Sequence, residues 1–124
     1  MQKDDIKRLS NDPDGLISYE YLANNIDNPS ADINMIVDNL CRVDLTGQFS
    51  ASAARYLHAI DGKKYADIIS RLVSHTIDKD REHAYLPSLL TGLYGQDCLE
   101  RAAELSAADD NFRRIHKRLY DTRF

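Results

Sequence analysis

Histidines with nearby carboxylates are the side chains of this sequence best suited to acid–base or metal chemistry. His75 and His83 flank a turn that also carries Asp78 and Glu82. Two imidazoles and two carboxylates can bind zinc or move protons. However, no His-Glu-x-x-His sequence fixes their spacing, and the chain has neither a glycine-rich phosphate loop nor a Gly-x-Ser-x-Gly elbow. The sequence therefore predicts a non-catalytic protein that needs no cofactor.

A second set of carboxylates lies near the amino terminus. Asp12 and Asp14 precede a glycine, and Glu20 follows in the next helical pattern. This segment resembles the calcium loop of an EF-hand, with the aspartates at positions three and five and the glycine at the sharp turn. The three carboxylates are its candidate metal ligands. The first and last ligand positions, Ser10 and Tyr21, carry no carboxylate, so the main prediction is that no metal binds.

The same rhythm returns in a later segment, where Asp44 precedes Gly47 by three residues. Arg42 takes the first ligand position there, and its positive charge opposes calcium binding. One alternative is a degenerate EF-hand-like regulatory module that binds a target helix. The simpler interpretation is that aspartate and glycine form a turn, and that Ser18 or Ser50 caps the helix that follows.

Apolar residues recur with helical spacing along nearly the whole chain, and no segment alternates long enough to indicate a strand. Breaks recur every seventeen residues, which predicts helices of about twelve residues joined by tight turns. These breaks fall at Asp27, Asp44, Asp61, Asp78 and Gly95. Pro87 lies inside one apolar pattern, where it is expected to kink or divide the helix.

The predicted fold is all-α, with six or seven antiparallel helices in a single domain over residues 1–124. The helices are expected at residues 12–26, 30–44, 49–60, 64–77, a segment ending at Gly95, 97–106 and from about 110 onward, with a further short one allowed at 3–9. Asp12 and Pro13 are expected to start the first of them, as N-cap and first residue. A helical-hairpin stack of the solenoid type and a compact bundle both fit this pattern.

Location follows from segments that the sequence lacks. No apolar run is long enough to span a bilayer, and the first fifteen residues have no apolar core of a secretory signal. Cys41 and Cys98 belong to no Cys-x-x-Cys motif and fall at apolar helix positions. The sequence thus predicts a reduced, cytoplasmic protein with no membrane partner.

Charge is unevenly distributed along the chain. The net charge is −4, and residues 1–61 carry five basic and ten acidic side chains. Basic residues dominate near the carboxyl terminus: Arg113, Arg114, Lys117, Arg118 and Arg123. The first four of them predict, as an alternative function, association with nucleic acid. Cations near the C-terminus of a solvated helix explain the same cluster.

The acidic residues and tyrosines favour a protein partner. Sixteen of the twenty acidic residues are aspartates, and seven tyrosines stand against three phenylalanines. An acidic face attracts a basic partner, and tyrosine gives large contact area at low entropy cost. In size and charge the chain is similar to immunity proteins and antitoxins that block nuclease toxins. The predicted partner-binding residues are Asp32, Asp38, Asp67, Tyr21 and Tyr85.

Overall fold

The computed structural model describes residues 1–120, and every regular element in that range is an α-helix. The all-α prediction is confirmed. The helices are α1 (Lys3–Ser10), α2 (Leu16–Asn24), α3 (Ile33–Val43), α4 (Gln48–Asp61), α5 (Ala66–Lys79), α6 (Leu86–Tyr94), α7 (Ala102–Ala108) and α8 (Asp110–Tyr120). Arg123 of the basic cluster lies outside the described residues. None of these eight helices is both long and apolar enough to cross a membrane.

The predicted number of six or seven helices is wrong. The described residues contain eight, because the amino-terminal segment treated as optional forms a full helix of eight residues. The seventeen-residue step also does not describe the helices, whose lengths range from seven residues in α7 to fourteen in α4 and α5.

Helix α3 illustrates how local sequence sets these elements. Asp32 precedes the helix, and its carboxylate accepts a hydrogen bond from the backbone N–H of Met35 at 3.1 Å. This bond satisfies one of the donors that a helix start leaves free. Ile36, Leu40 and Val43 follow at helical spacing and are buried. The cap therefore fixes where α3 begins, and the apolar stripe fixes which face it buries.

The helices lie in two rows. In the first row, α1, α3, α5 and α8 each contact the next one, and in the second row α2 contacts α4, which contacts α6. Consecutive helices also pack across the rows, with the most extensive contact between α4 and α5, while α7 packs on α8. Fully buried side chains from both rows, including Leu57, Leu72 and Phe112, form one hydrophobic cluster.

In the first row, a side chain of each later helix forms a hydrogen bond with a carbonyl at the C-terminal end of the helix before it. The Arg42 guanidinium donates to the carbonyl of Ser10 at the end of α1, with a distance of 3.1 Å. A ring nitrogen of His75 lies 2.8 Å from the carbonyl oxygen of Asp44, just after α3. Arg118 donates to a carbonyl in the last turn of α5 at 2.6 Å. Each helix therefore has its free C-terminal carbonyls partly satisfied by the next helix in the row.

The three connections from the first row to the second each contain a buried aspartate: Asp12, Asp44 and Asp80. The Asp44 carboxylate accepts hydrogen bonds from the backbone of Gly47 at 3.0 Å and from the backbone and hydroxyl of Ser50 at 2.8 Å. The aspartate, rather than the expected serine, caps the helix that follows. The turn predicted from aspartate and glycine is present, but its serine is a donor to the aspartate.

The residue three positions after each of these aspartates has a left-handed backbone conformation, with positive φ. Gly15 has φ of 111° and Gly47 has φ of 86°, while His83 takes the third position with φ of 58°. Only glycine adopts this region without cost, because a Cβ crowds the following carbonyl. The third connection thus departs from the pattern of the first two at one strained residue.

Two expectations about helix starts are wrong. Helix α6 begins at Leu86, so Pro87 lies in its first turn, where no backbone donor is lost and no kink results. Helix α2 begins at Leu16 behind a glycine cap, which leaves Pro13 in the connection instead of at the first helical position.

The two rows give the molecule two edges. The hairpin edge is formed by the connections that lead from the second row to the first, together with their flanking residues. It comprises residues 25–32, 61–67, 95–101 and 109–110. We call loop edge the opposite end, where first-row helices finish: 7–16, 42–48, 78–85 and 117–118. The side-chain bonds from Arg42, His75 and Arg118 all lie at the loop edge.

Candidate functional site

The hairpin edge is strongly acidic. Its eight acidic side chains are Asp27, Asp32, Asp61, Asp67, Asp97, Glu100, Asp109 and Asp110. Its three basic side chains are Lys63, Lys64 and Arg101. All of the acidic residues are exposed to solvent except Asp109, which is half-buried. Arg101 lies within 4 Å of Asp97 and Glu104, so part of its charge is already balanced within the chain.

The loop edge is basic at its surface. Its seven basic residues are Lys7, Arg8, Arg42, Lys79, Arg81, Lys117 and Arg118. Its exposed acidic residues are Asp14, Asp78 and Glu82. The remaining three carboxylates of this edge are the buried aspartates of the connections. Of the two edges, the hairpin edge therefore presents more exposed acidic residues to solvent, seven against three.

Two of the predicted partner-binding residues lie on the hairpin edge. Asp32 caps α3, and Asp67 is exposed in the first turn of α5. Carboxylates at helix starts are favoured by the backbone dipoles, and their short side chains hold the charge close to a rigid backbone. The backbone of both residues is thus fixed before any partner arrives, and a hydrogen bond also holds the Asp32 side chain.

The other three predicted residues lie elsewhere. Asp38, in the middle of α3, forms an exposed ion pair with Arg71 of α5. Tyr21 is half-buried on α2, where burial and the neighbouring Asp5 carboxylate raise the pKa of its phenol. Tyr85 precedes α6 at the loop edge. The structure therefore brings together Asp32 and Asp67 but places Asp38 and the tyrosines apart from them.

The hairpin edge contains a cleft of about 300 Å³ between the end of α4, the start of α5, the end of α6 and the start of α8. Ile69, Val73 and Leu93 contribute its apolar lining, and Tyr94 and Asp109 contribute polar groups. The Tyr94 ring packs edge-on against the buried ring of Phe112, with centroids 5.1 Å apart. An apolar cleft with a carboxylate on its wall therefore opens within the acidic edge.

The hydrogen bonds within the chain show which polar groups of this cleft can still bond a ligand. Asp109 accepts a bond from the backbone N–H of Phe112 at 3.0 Å, and its carboxylate lies near the Tyr94 hydroxyl. Burial, and then the Asp109 charge, raise the pKa of Tyr94 far above its usual value, so the phenol is a neutral donor. Asn111 donates to the carbonyl and hydroxyl oxygens of Ser70, both at 3.1 Å. A carboxylate accepts about four bonds, so Asp109 retains acceptor capacity toward the cleft.

The loop edge contains a second cleft, of about 370 Å³. Leu45, which is 71% exposed, lies beside it together with Tyr85. Its charged residues, Lys79, Arg81 and Glu82, include both signs. This cleft is larger than that of the hairpin edge, but its mixed charges indicate no single class of ligand.

The three carboxylates of the EF-hand-like segment have other surroundings in the fold. Asp12 accepts four hydrogen bonds of 2.7–3.2 Å, including two from Ser18. Burial raises its pKa, but these bonds outweigh burial and hold the pKa below its usual value. Asp14 accepts from the backbone of Leu16 at 3.0 Å, and Glu20 is exposed on α2. Within residues 1–120, no group of three or more His, Cys, Asp and Glu side chains is arranged to hold a metal ion.

The histidines and cysteines that could do chemistry occupy positions explained by the fold. His75 is bonded to the carbonyl of Asp44, and His83 occupies the strained turn position. Both cysteines are free thiols, with Cys98 buried and Cys41 half-buried. Burial raises the pKa of Cys41, which keeps it in the unreactive thiol form.

The basic residues of α8 are largely engaged within the chain. Arg114 donates to Asp78 at 3.1 Å and Arg118 to a carbonyl of α5 at 2.6 Å. Arg113 pairs with Asp110 on its own helix, and Lys117 is exposed. Of the four residues predicted for nucleic-acid association, two thus bind α5 in the folded chain.

Sequence reasoning missed the residues of the hairpin-edge cleft. Neither Tyr94 nor Asp109 is among the site residues predicted from the sequence. The only sequence signal for Asp109 is an acidic pair directly before a helix, which is typical of an N-cap. That signal does not reveal that the end of α6 places a tyrosine against the same carboxylate.

No protein-family model matches this chain, and neither a curated protein nor a solved structure does.

Proposed function

We propose that this chain is a non-catalytic protein-binding domain whose hairpin edge binds a basic segment of a partner protein. The observation that carries the proposal is the separation of charge between the edges: eight acidic residues, seven of them exposed, lie on the edge where the apolar cleft opens. Interfaces need both apolar area and charge complementarity, and this edge offers the two together.

Electrostatics supports a basic partner over an acidic one. Exposed carboxylates spaced along one edge attract cations over about 8–10 Å at physiological salt, which raises the rate of encounter. Asp32 and Asp67 lie at helix starts with a rigid backbone, and a short aspartate side chain has little freedom to lose when a cation binds it. The edge is thus organised before binding.

The architecture suits this role. The recurrence of a capping aspartate at Asp12, Asp44 and Asp80 supports a stack of helical hairpins over a compact bundle. Such stacks present extended edges to their partners. In its most specific form, the proposal is that the hairpin edge occupies a basic surface of the partner and blocks it, as expected of an immunity- or antitoxin-type inhibitor in the cytoplasm.

Deca-lysine binding tests the proposal. One variant combines Asp27→Asn, Asp32→Asn and Asp67→Asn on the hairpin edge. Its matched control combines Asp14→Asn, Asp78→Asn and Glu82→Gln on the loop edge, which changes the net charge equally. We expect calorimetry at low ionic strength to show about tenfold weaker binding for the first variant, and less than about threefold for the control.

Asparagine keeps the N-cap of α3, so the hairpin-edge variant retains its fold, which circular dichroism verifies. Binding that weakens equally in both triple variants would show that only net charge matters, and the proposed edge would then be wrong. Absence of any binding to the unmodified protein would also contradict the proposal.

A further inference from the structure

We infer that the cleft of the hairpin edge receives one lysine or arginine side chain of the basic partner, with its charged end at Asp109. This inference rests on the proposed function and names the anchor of that interface. The cleft volume of about 300 Å³ lies at the lower end of the ~300–1,000 Å³ typical of ligand sites. It therefore suits a side chain better than a cofactor.

The lining matches a cation on an alkyl stem. Ile69, Val73 and Leu93 offer apolar surface for methylene groups, which long basic side chains commonly bury while their charge remains outside. Beyond this surface, the half-buried Asp109 has acceptor capacity left after its bond from the Phe112 backbone. An anionic or purely apolar side chain would leave that carboxylate desolvated without a counter-charge.

Exposed charges of both signs flank the mouth of the cleft, and two aspartates among them have the same sign as Asp109. Asp61 directly precedes the lining residue Gly62, and Asp67 directly follows the lining residue Ala66. Both aspartates are exposed. They attract a cation toward the cleft without occupying it.

Cations of the chain itself lie nearby but do not fill the cleft. Lys64 extends over the ring of Tyr65, with its ammonium 5.3 Å from the ring centroid. The Arg113 guanidinium is paired with Asp110, at 2.5 Å. Neither Lys64 nor Arg113 lines the cleft. The carboxylate of Asp109 is therefore available to a cation from outside the chain.

Capped single amino acids test the anchor directly. We expect Nα-acetyl-lysine methylamide and Nα-acetyl-arginine methylamide to shift the methyl NMR signals of Ile69, Val73 and Leu93. The norleucine analogue has the same stem without the charge and is expected to bind at least about tenfold more weakly. Equal shifts for all three probes would overturn the role of Asp109.

Two variants separate the anchor from the edge as a whole. Asp109→Asn removes the charge but keeps the cap of α8, because asparagine is also a good N-cap. Ala66→Leu narrows the mouth at an exposed position without changing charge. Both are expected to weaken binding of the lysine probe about tenfold or more, with unchanged circular dichroism.

The outcomes distinguish this inference from the proposed function. In one outcome, deca-lysine binding depends on the hairpin-edge aspartates but the methyl signals of the cleft do not shift. This outcome would contradict binding of a side chain in the cleft and would still support the proposed interface. Lysine-probe binding at the cleft without deca-lysine binding would support a cation site and contradict the protein interface. Binding that both cleft variants leave unchanged would overturn the anchor.

Discussion

The two edges of this molecule use the same residue type in opposite ways. At the loop edge, Asp12, Asp44 and Asp80 are buried and accept hydrogen bonds from the chain itself. At the hairpin edge, residues such as Asp27 and Asp67 are exposed. A buried aspartate whose carboxylate accepts backbone hydrogen bonds stabilises the fold and cannot bind a partner. An exposed aspartate at a helix start keeps its carboxylate oxygens available to a partner. Acidic composition therefore says little about an acidic surface until burial is known.

The largest expected difference between the edges is in stability. Asp44→Ala would leave several buried N–H groups without a partner, at about 1–3 kcal/mol each. We expect the free energy of unfolding to fall by roughly 3–5 kcal/mol, measured by urea denaturation.

The matched control is Asp27→Ala on the hairpin edge, which is expected to change stability by less than about 0.5 kcal/mol. Similar losses for the two variants would mean that burial does not separate the two groups of aspartates.

Glycine substitutions give the next largest contrast. Gly47 has φ of 86°, and a Cβ there would lie 3.2 Å from the backbone of Thr76. We expect Gly47→Ala to destabilise the protein by about 2 kcal/mol, because strain and crowding add. Gly62 follows α4 at the hairpin edge with φ of −63°, where alanine fits the backbone.

The same substitution at Gly62 is therefore expected to be neutral or stabilising by up to about 1 kcal/mol. Its new Cβ would lie 3.0 Å from the ring of the exposed His58 side chain, which can shift, and 3.6 Å from the His58 carbonyl oxygen, an ordinary contact. Thermal unfolding of both variants measures the contrast, and a loss at Gly62 as large as that at Gly47 would contradict it.

Acid sensitivity is expected to arise partly at the loop edge. The folded pKa of Asp12 lies below the ordinary value of 3.8, so its ionised form stabilises the fold above that pH. This contribution is lost as the pH falls below 3.8 through the folded value, since the protonated carboxyl accepts fewer bonds.

Asp12→Asn has no such titration. We expect its unfolding free energy to depend less steeply on pH than that of the unmodified protein over about pH 5 to 2. Parallel pH profiles would show that Asp12 does not contribute, and the exposed hairpin-edge variant Asp67→Asn provides the comparison.

The helices were largely predictable because their signals are local. The apolar stripe of α3 and the glycine after α6 identify those helices without any knowledge of the fold. Capping was only half predictable: aspartate and glycine indicated a turn, but the Asp44 carboxylate bonds a backbone N–H six residues later, at Ser50. Pro87 was misjudged because the start of α6 depends on Asp80, which bonds the backbone of Leu86.

The site was less predictable because it is built from distant segments. Tyr94 and Asp109 meet because the end of α6 packs against α8, and nothing in either local sequence indicates that contact. Conversely, Asp38 looked free on its helix but pairs with Arg71, which is 33 residues away. The solvent exposure of an individual acidic side chain depends on tertiary packing, so the helical spacing of apolar residues does not predict it.

The most direct test of the two-edge account maps a cation onto the surface. Deca-lysine is titrated into ¹⁵N-labelled protein at low ionic strength, and backbone amide shifts are followed by NMR. We expect the shifts to concentrate in residues 25–32, 61–67, 95–101 and 109–110, and to disappear as salt is added. Shifts centred on residues 7–16, 42–48 and 78–85, or spread evenly over both edges, would contradict the account.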